Sequence, residues 1–123
     1  MKALIVDDSL ATRSFIRRML EELGAAVCEA EHGENALAEL DANPDVEFLL
    51  IDWNMPVMNG LTLVTSIRAR PEYKRLKLVM VTSESSVERV REALDAGANE
   101  YIMKPFTREV LQEKLRLIGL GVG

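Results

Sequence analysis

The sequence predicts an α/β fold of the doubly wound kind, with five parallel strands in one sheet and five helices covering it. Three observations predict it. Short strand-like runs alternate with helical patterns along nearly all of the 123 residues. Three of the runs, at 3–6, 48–51 and 78–81, are continuously apolar, as strands covered on both faces are. Turn and breaker residues (Gly24, Asn43-Pro44, Asn59-Gly60, Gly97) fall between the patterns.

In chain order, strands are expected at 3–7, 26–30, 46–52, 77–82 and 99–103. The first helix, 10–23, places Ala11, Phe15, Met19 and Leu23 on one stripe and stops at Gly24. The second, 34–42, turns Ala36, Leu37 and Leu40 inward. The third, 60–69, follows Asn59-Gly60 and buries Leu63, Val64 and Ile67. The fourth, 86–96, opens on the capping-box pattern Ser85-x-x-Glu88. The fifth, 108–118, has Thr107 as its N-cap and buries Val110, Leu111, Leu115 and Ile118. One domain, 1–118, is expected, with no output domain after it. The glycine-rich 119–123 is expected to be a flexible tail.

Composition narrows the function classes. With 48% apolar and 28% charged residues the chain is globular. A net charge of −5 argues against a general nucleic-acid surface. The single cysteine, Cys28, has no internal partner and reads as a buried structural thiol. No apolar stretch approaches the roughly 20 residues of a membrane span, and acids arrive too early for a signal peptide. No membrane partner is expected, and a reducing cytoplasm is the expected location.

The chemistry gathers at strand ends. Asp7 and Asp8 close the first run, Asp52 closes the third, Thr82 closes the fourth, and Lys104, before Pro105, follows the fifth. In doubly wound sheets ligands bind beyond the carboxyl ends of the strands, where the strand order reverses. Right-handed crossovers leave few orders. In the order 2-1-3-4-5 the reversal lies between strands one and three, bringing Asp7 and Asp8 beside Asp52. Taken singly, Asp7-Asp8 reads equally as a turn or cap, Lys104 as solvated surface, and Thr82 as a strand-end hydroxyl. Taken together, three carboxylates in one pocket require either a raised pKa or a bound cation, since two such charges at 4 Å repel by about 4 kcal/mol at an effective dielectric of about 20. Hard oxygen donors of this kind suit Mg²⁺. His32 stands alone near a turn and is not expected to be a ligand.

Asp7-Asp8, Asp52, Thr82, Tyr101 and Lys104-Pro105 resemble the response-regulator receiver domain of two-component signalling, over essentially the whole chain. The stretches Asp52-Trp53-Asn54-Met55-Pro56, Asn59-Gly60 and Lys104-Pro105-Phe106-Thr107 are similar to those of its stand-alone chemotaxis members. The resemblance implies a flavodoxin-like sheet of order 2-1-3-4-5 and a signalling protein that catalyses only its own phosphorylation and dephosphorylation. It implies Asp52 as phosphoacceptor from a histidine kinase. Mg²⁺ would be held directly by Asp8, Asp52 and the Asn54 backbone carbonyl, and by Asp7 more through water. Lys104 would pair with a phosphoryl oxygen, and the bond to Pro105 would be cis. Thr82 and Tyr101 would form the switch; Asn54, Ser83 and Glu84 would tune dephosphorylation, with help from a phosphatase. Ser83 departs from the alanine of the chemotaxis members. The surface of helix four, strand five and helix five, with Val90, Tyr101 and Lys114, would bind a target such as a flagellar motor switch component. A monomer is implied. A phosphorelay carrier, passing its phosphoryl group to a histidine phosphotransfer protein, is the alternative.

Two other classes fit less well. A flavodoxin electron carrier needs a Ser/Thr/Gly-rich phosphate loop after strand one, where this chain has acids. An aspartyl-phosphate hydrolase places its two acids as D-x-D on strand one, whereas here they are adjacent.

Overall fold

The computed structural model describes residues 1–55, 57–83 and 87–121. Strands and helices alternate as β1 (Lys2–Val6), α1 (Leu10–Glu22), β2 (Ala26–Ala30), α2 (Gly33–Ala42), β3 (Phe48–Asp52), α3 (Gly60–Arg68), β4 (Lys77–Thr82), α4 (Val87–Ala96), β5 (Glu100–Met103) and α5 (Arg108–Leu117), with a 3-10 turn at Pro71–Tyr73 before β4. The five strands form one parallel sheet in the order β2-β1-β3-β4-β5. This is the expected doubly wound architecture.

Strand alternation divides the core into two layers. Leu4, Val6, Leu49, Ile51, Leu78 and Met80 face one side, packed with Ala36 and Leu40 of α2, Leu63, Val64 and Ile67 of α3, and Ala93 of α4. Ala3, Ile5, Phe48, Leu50, Val79, Val81 and Ile102 face the other, under Ile16, Met19 and Leu20 of α1 and Leu111 and Leu115 of α5. The three central strands are buried on both faces, which is why their sequences are unbroken apolar runs rather than alternating ones.

Two helices bury only part of the stripe expected of them. In α1 the buried stripe is Ile16, Met19 and Leu20, continued by Leu23; Ala11 is exposed and Phe15 is 58% exposed. The apolar residues of α1 spell two overlapping stripes. Phe15 precedes Ile16 by one residue, about 100° around the helix, and only one of the two can face the sheet. In α5 Leu111 and Leu115 are buried as expected, while Val110 is exposed and Ile118 half-buried.

The tail expectation also changes. Gly119, at φ 88°, donates its amide to the Arg116 carbonyl at 3.0 Å, and Leu120 donates to the Leu115 carbonyl at 3.0 Å. This is a Schellman cap, and its customary apolar contact is made by Leu120, which is 8% exposed and joins the α1–α5 layer. Residues 119–120 therefore belong to the domain; 122–123 lie outside the described residues. Cys28 is half-buried, not fully buried, and its Sγ donates to the Ala3 carbonyl at 3.5 Å. Burial pushes its thiol up, so it stays protonated.

Helix starts are fixed by the expected chemistry where they border the sheet's C-terminal edge. Ser9 accepts from the Thr12 amide at 3.2 Å, Asn59 from Thr62 at 2.9 Å and Thr107 from Val110 at 3.2 Å. Ser85, half of the expected capping box, lies outside the described residues.

Candidate functional site

The strand register brings the acids together. Val6 of β1 pairs with Ile51 of β3, so Asp7 and Asp52 follow at the same level on neighbouring strands. They stand where β1 is flanked by β2 and β3, the reversal point of the sheet. Asp7 is 2% exposed and Asp52 5%, while Asp8 faces solvent. Carboxylate oxygens of Asp7, Asp8 and Asp52 all lie within 4.8 Å of one another. Hard, anionic donors so close together fit a hexacoordinate cation such as Mg²⁺ that leaves room for waters or phosphoryl oxygens.

Lys104 reaches the cluster from the far end of the sheet. Its amide donates to the Thr82 carbonyl at 2.8 Å, and the Lys104–Pro105 bond is cis. Its Nζ sits 3.3 Å from Asp52 Oδ1 and 3.4 Å from Asp7 Oδ2. Burial pushes the Asp52 carboxyl up, and the charge of Asp7 pushes it further; Lys104 and the Asn54 amide, which donates to Asp52 Oδ1 at 3.3 Å, pull the other way. The pocket thus disfavours the ionised form of the Asp52 carboxyl until positive charge arrives.

Backbone geometry holds Asp52 in place. The Trp53 amide donates to the Val81 carbonyl at 2.9 Å, and Gly60 donates to the Trp53 carbonyl at 3.0 Å. A Cβ on Gly60 would lie 2.4 Å from the Asp52 carbonyl oxygen. Only glycine lets α3 start this close to the strand that carries Asp52.

The remaining expected residues are spread outward. Thr82 is buried at the end of β4; Asn54 and Ser83 are exposed beside it. Glu84 and Pro56 lie outside the described residues. Tyr101 is half-buried, with the Lys114 Nζ 4.2 Å from its ring centre, and Lys114 also pairs with Glu100 at 3.4 Å. Val90 is half-buried on α4. Beside them a cavity of about 350 Å³ is lined by Tyr101, Met103, Phe106, Val110 and Lys114 among others. Met103 and Val110 on this face are exposed apolar residues.

Sequence reading missed one buried cation. Arg13 of α1 is 7% exposed and donates from Nη1 to the Asp7 carbonyl at 2.7 Å. The available signal is its spacing from Arg17: the two lie one helical turn apart and both reach Glu29, at 2.9 and 2.6 Å.

A buried aspartate, an acidic pair beside it, and a lysine that bridges Asp7 and Asp52 at a doubly wound sheet edge define a receiver domain. Residues 3–116 match the response regulator receiver domain, and the chain belongs to that family. It is 50% identical over 119 residues to chemotaxis protein CheY1 of Helicobacter pylori strain J99, covering 96% of each chain. It is also 50% identical over 125 residues to a chemotaxis protein CheY homolog of Campylobacter jejuni, covering 100% of this chain and 96% of the relative. Among solved structures it resembles the chemotaxis protein CheY4 of Vibrio cholerae, with a TM-score of 0.89, 34% identity and coverage of 95% and 97%. Within two-component signalling the chain is a receiver of the CheY type.

Proposed function

We propose that this chain is a chemotaxis response regulator that takes a phosphoryl group from a histidine kinase onto Asp52 and relays the event to a target through α4, β5 and α5. The observation that carries the reading is the convergence of Asp7, Asp8 and Asp52 with Lys104 bridging two of them. A carboxylate oxygen of Asp52 attacks phosphorus. The phosphorus–nitrogen bond of the donor phosphohistidine breaks, its electron pair returns to the imidazole, and an acyl phosphate remains on Asp52. Asp8, Asp52 and the Asn54 carbonyl would hold Mg²⁺ directly, with Asp7 more through water. When bound, the ion supplies charge neutralisation for the transferring group.

Lys104 carries positive charge within 3.3 Å of the acceptor oxygen and would pair with a phosphoryl oxygen once transfer has occurred. The Thr82 hydroxyl would turn toward that group and Tyr101 would turn inward, biasing an existing equilibrium between two arrangements of the output face. Val90, Tyr101 and Lys114 would meet the target, a flagellar motor switch component. Asn54, Ser83 and Glu84 would set how fast water removes the phosphoryl group, alone or with a phosphatase. No described helix is long and apolar enough to cross a membrane; a monomer working in the cytoplasm fits the reading.

The test is intact mass after treatment with a small phosphodonor and Mg²⁺. A single labile phosphoryl adduct on the wild type and none on Asp52→Asn is the expected result. An adduct on both would move the acceptor away from Asp52, and an adduct on neither would remove phosphoryl transfer from the reading.

A further inference from the structure

The buried face of α1 carries one charged side chain, Arg13, among Ile16, Met19 and Leu20. Burying a guanidinium is costly unless every bond is made, and an apolar residue of the same size is often as stable or more so. A charge kept there points to a task other than packing. Its bonds show where that task lies. Nη1 donates to the Asp7 carbonyl at 2.7 Å, and Nε donates to Glu29 Oε1 at 2.9 Å. The other oxygen of Glu29 is held by Arg17 Nε at 2.6 Å. Arg13 is thereby anchored to β2 while it grips the end of β1.

The gripped group is the carbonyl of the peptide that joins Asp7 to Asp8. The Asp7 amide is fixed from the other side by the Ala30 carbonyl at 3.1 Å, and Asp7 Oδ1 accepts from the Ser9 amide at 2.8 Å. Asp8 itself is exposed and past the end of the strand, so the plane of the Asp7–Asp8 peptide governs where its carboxylate points.

We propose that Arg13, braced by Glu29, is a positioning residue for the acidic site, fixing the Asp7–Asp8 peptide so that both carboxylates converge with Asp52 on one divalent cation. The proposal rests on the Mg²⁺ reading above. Groups that orient metal ligands in this way typically change metal affinity by about 10- to 100-fold when removed. The sign separates positioning from plain electrostatics. Loss of a nearby positive charge alone tightens Mg²⁺ binding, whereas loss of positioning weakens it.

The experiment is a Mg²⁺ titration of the full chain, followed by the fluorescence of Trp53, the single tryptophan. Wild type, Arg13→Met, Arg13→Lys and Ile16→Val, a core control on the same helix face, are compared. Arg13→Met is expected to bind about tenfold more weakly. Arg13→Lys, which keeps the charge but cannot span both partners, falls between it and wild type, and Ile16→Val matches wild type. Arg13→Met binding as tightly as wild type, or more tightly, overturns the proposal. Should that variant not fold, wild-type affinity in Arg13→Lys overturns it equally, as does an equal loss in Ile16→Val. A wild type that ignores Mg²⁺ overturns the metal reading and the role of Arg13 with it; a wild type that binds, beside an unaffected Arg13→Met, overturns only the latter.

Discussion

Val57 holds a backbone angle that its side chain resists. It lies in the loop between β3 and α3 with φ at 68°, and is 99% exposed, so no packing compensates for its left-handed conformation. For an L-residue that conformation costs about 1–2 kcal/mol, least for Gly and Asn. Val57→Asn is expected to stabilise the fold by about 1 kcal/mol, read as a higher urea midpoint at unchanged slope. An unchanged midpoint would show that the angle carries no strain. Glu29 offers a second residue-scale prediction. Burial alone would push its carboxyl up, but hydrogen bonds and charges from Arg17 and Arg13 outweigh this and hold it below its ordinary value. The folded value then lies under the unfolded one of about 4.3. The stabilisation is present above the unfolded value and is lost as pH falls through the folded one. Glu29→Gln should therefore be less stable than wild type at neutral pH, with the gap closing below pH of about 4. Denaturant midpoints across pH 3 to 7 test it (roughly the span over which such a carboxyl titrates); a gap that persists in acid would show that the pairing is not what the substitution removes.

Between elements, one side chain ties the end of the sheet opposite the acidic site. Arg68, the last residue of α3, donates from Nε to the Gly97 carbonyl at 2.8 Å, from Nη1 to the Tyr73 and Lys74 carbonyls at 3.2 Å, and from Nη2 to the Leu76 carbonyl and the Asn99 Oδ1, both at 2.8 Å. It joins α3, the 3-10 turn and the entries to β4 and β5. Arg68→Ala removes a charged donor from several half-buried carbonyls and should destabilise by about 3 kcal/mol; thermal or urea unfolding measures it, and a loss under about 0.5 kcal/mol, the range of an ordinary surface change, would mark the network as solvated. This rivet was not legible in the sequence, because it depends on carbonyls that carry no residue signature. The strands were legible for the opposite reason. Burial on both faces leaves β1, β3 and β4 no choice but apolar runs. Helix phase was only partly legible. Phe15 and Val110 lie next to Ile16 and Leu111, and composition does not say which of two adjacent apolar residues meets the sheet. Leu120 escaped because its burial follows from the positive φ at Gly119, whereas a glycine-rich end by itself suggests fraying. The acids were legible because each ends an apolar run, while Arg13 was not, since a helical arginine ordinarily faces water.

Across the whole molecule, the sheet order is what turns scattered residues into one site. Positions 7, 52 and 104 meet because β1 and β3 are neighbours and β5 closes the same edge. The same path leads outward. Lys104 is joined through its amide to Thr82 and through the chain to Met103 and Tyr101, whose ring lies under Lys114 of α5. If a phosphoryl group on Asp52 acts by drawing Lys104, the pull reaches β5 and α5 without any contact of their own with the site. Lys104→Ala separates chemistry from relay. Its three carboxylates remain, with one positive charge fewer beside them, so Mg²⁺ binding should be kept or strengthened. Asp52 should still take a phosphoryl group from a small phosphodonor. The change at α4, β5 and α5 should disappear, and with it a coupling typically worth about 5- to 150-fold in affinity. Hydrogen exchange before and after phosphorylation reads this directly and needs no partner. Wild type is expected to change protection across 87–117, and Lys104→Ala to stay at its unphosphorylated level. Equal changes in both would place the relay on Thr82 alone and leave Lys104 only the task of balancing charge at Asp52.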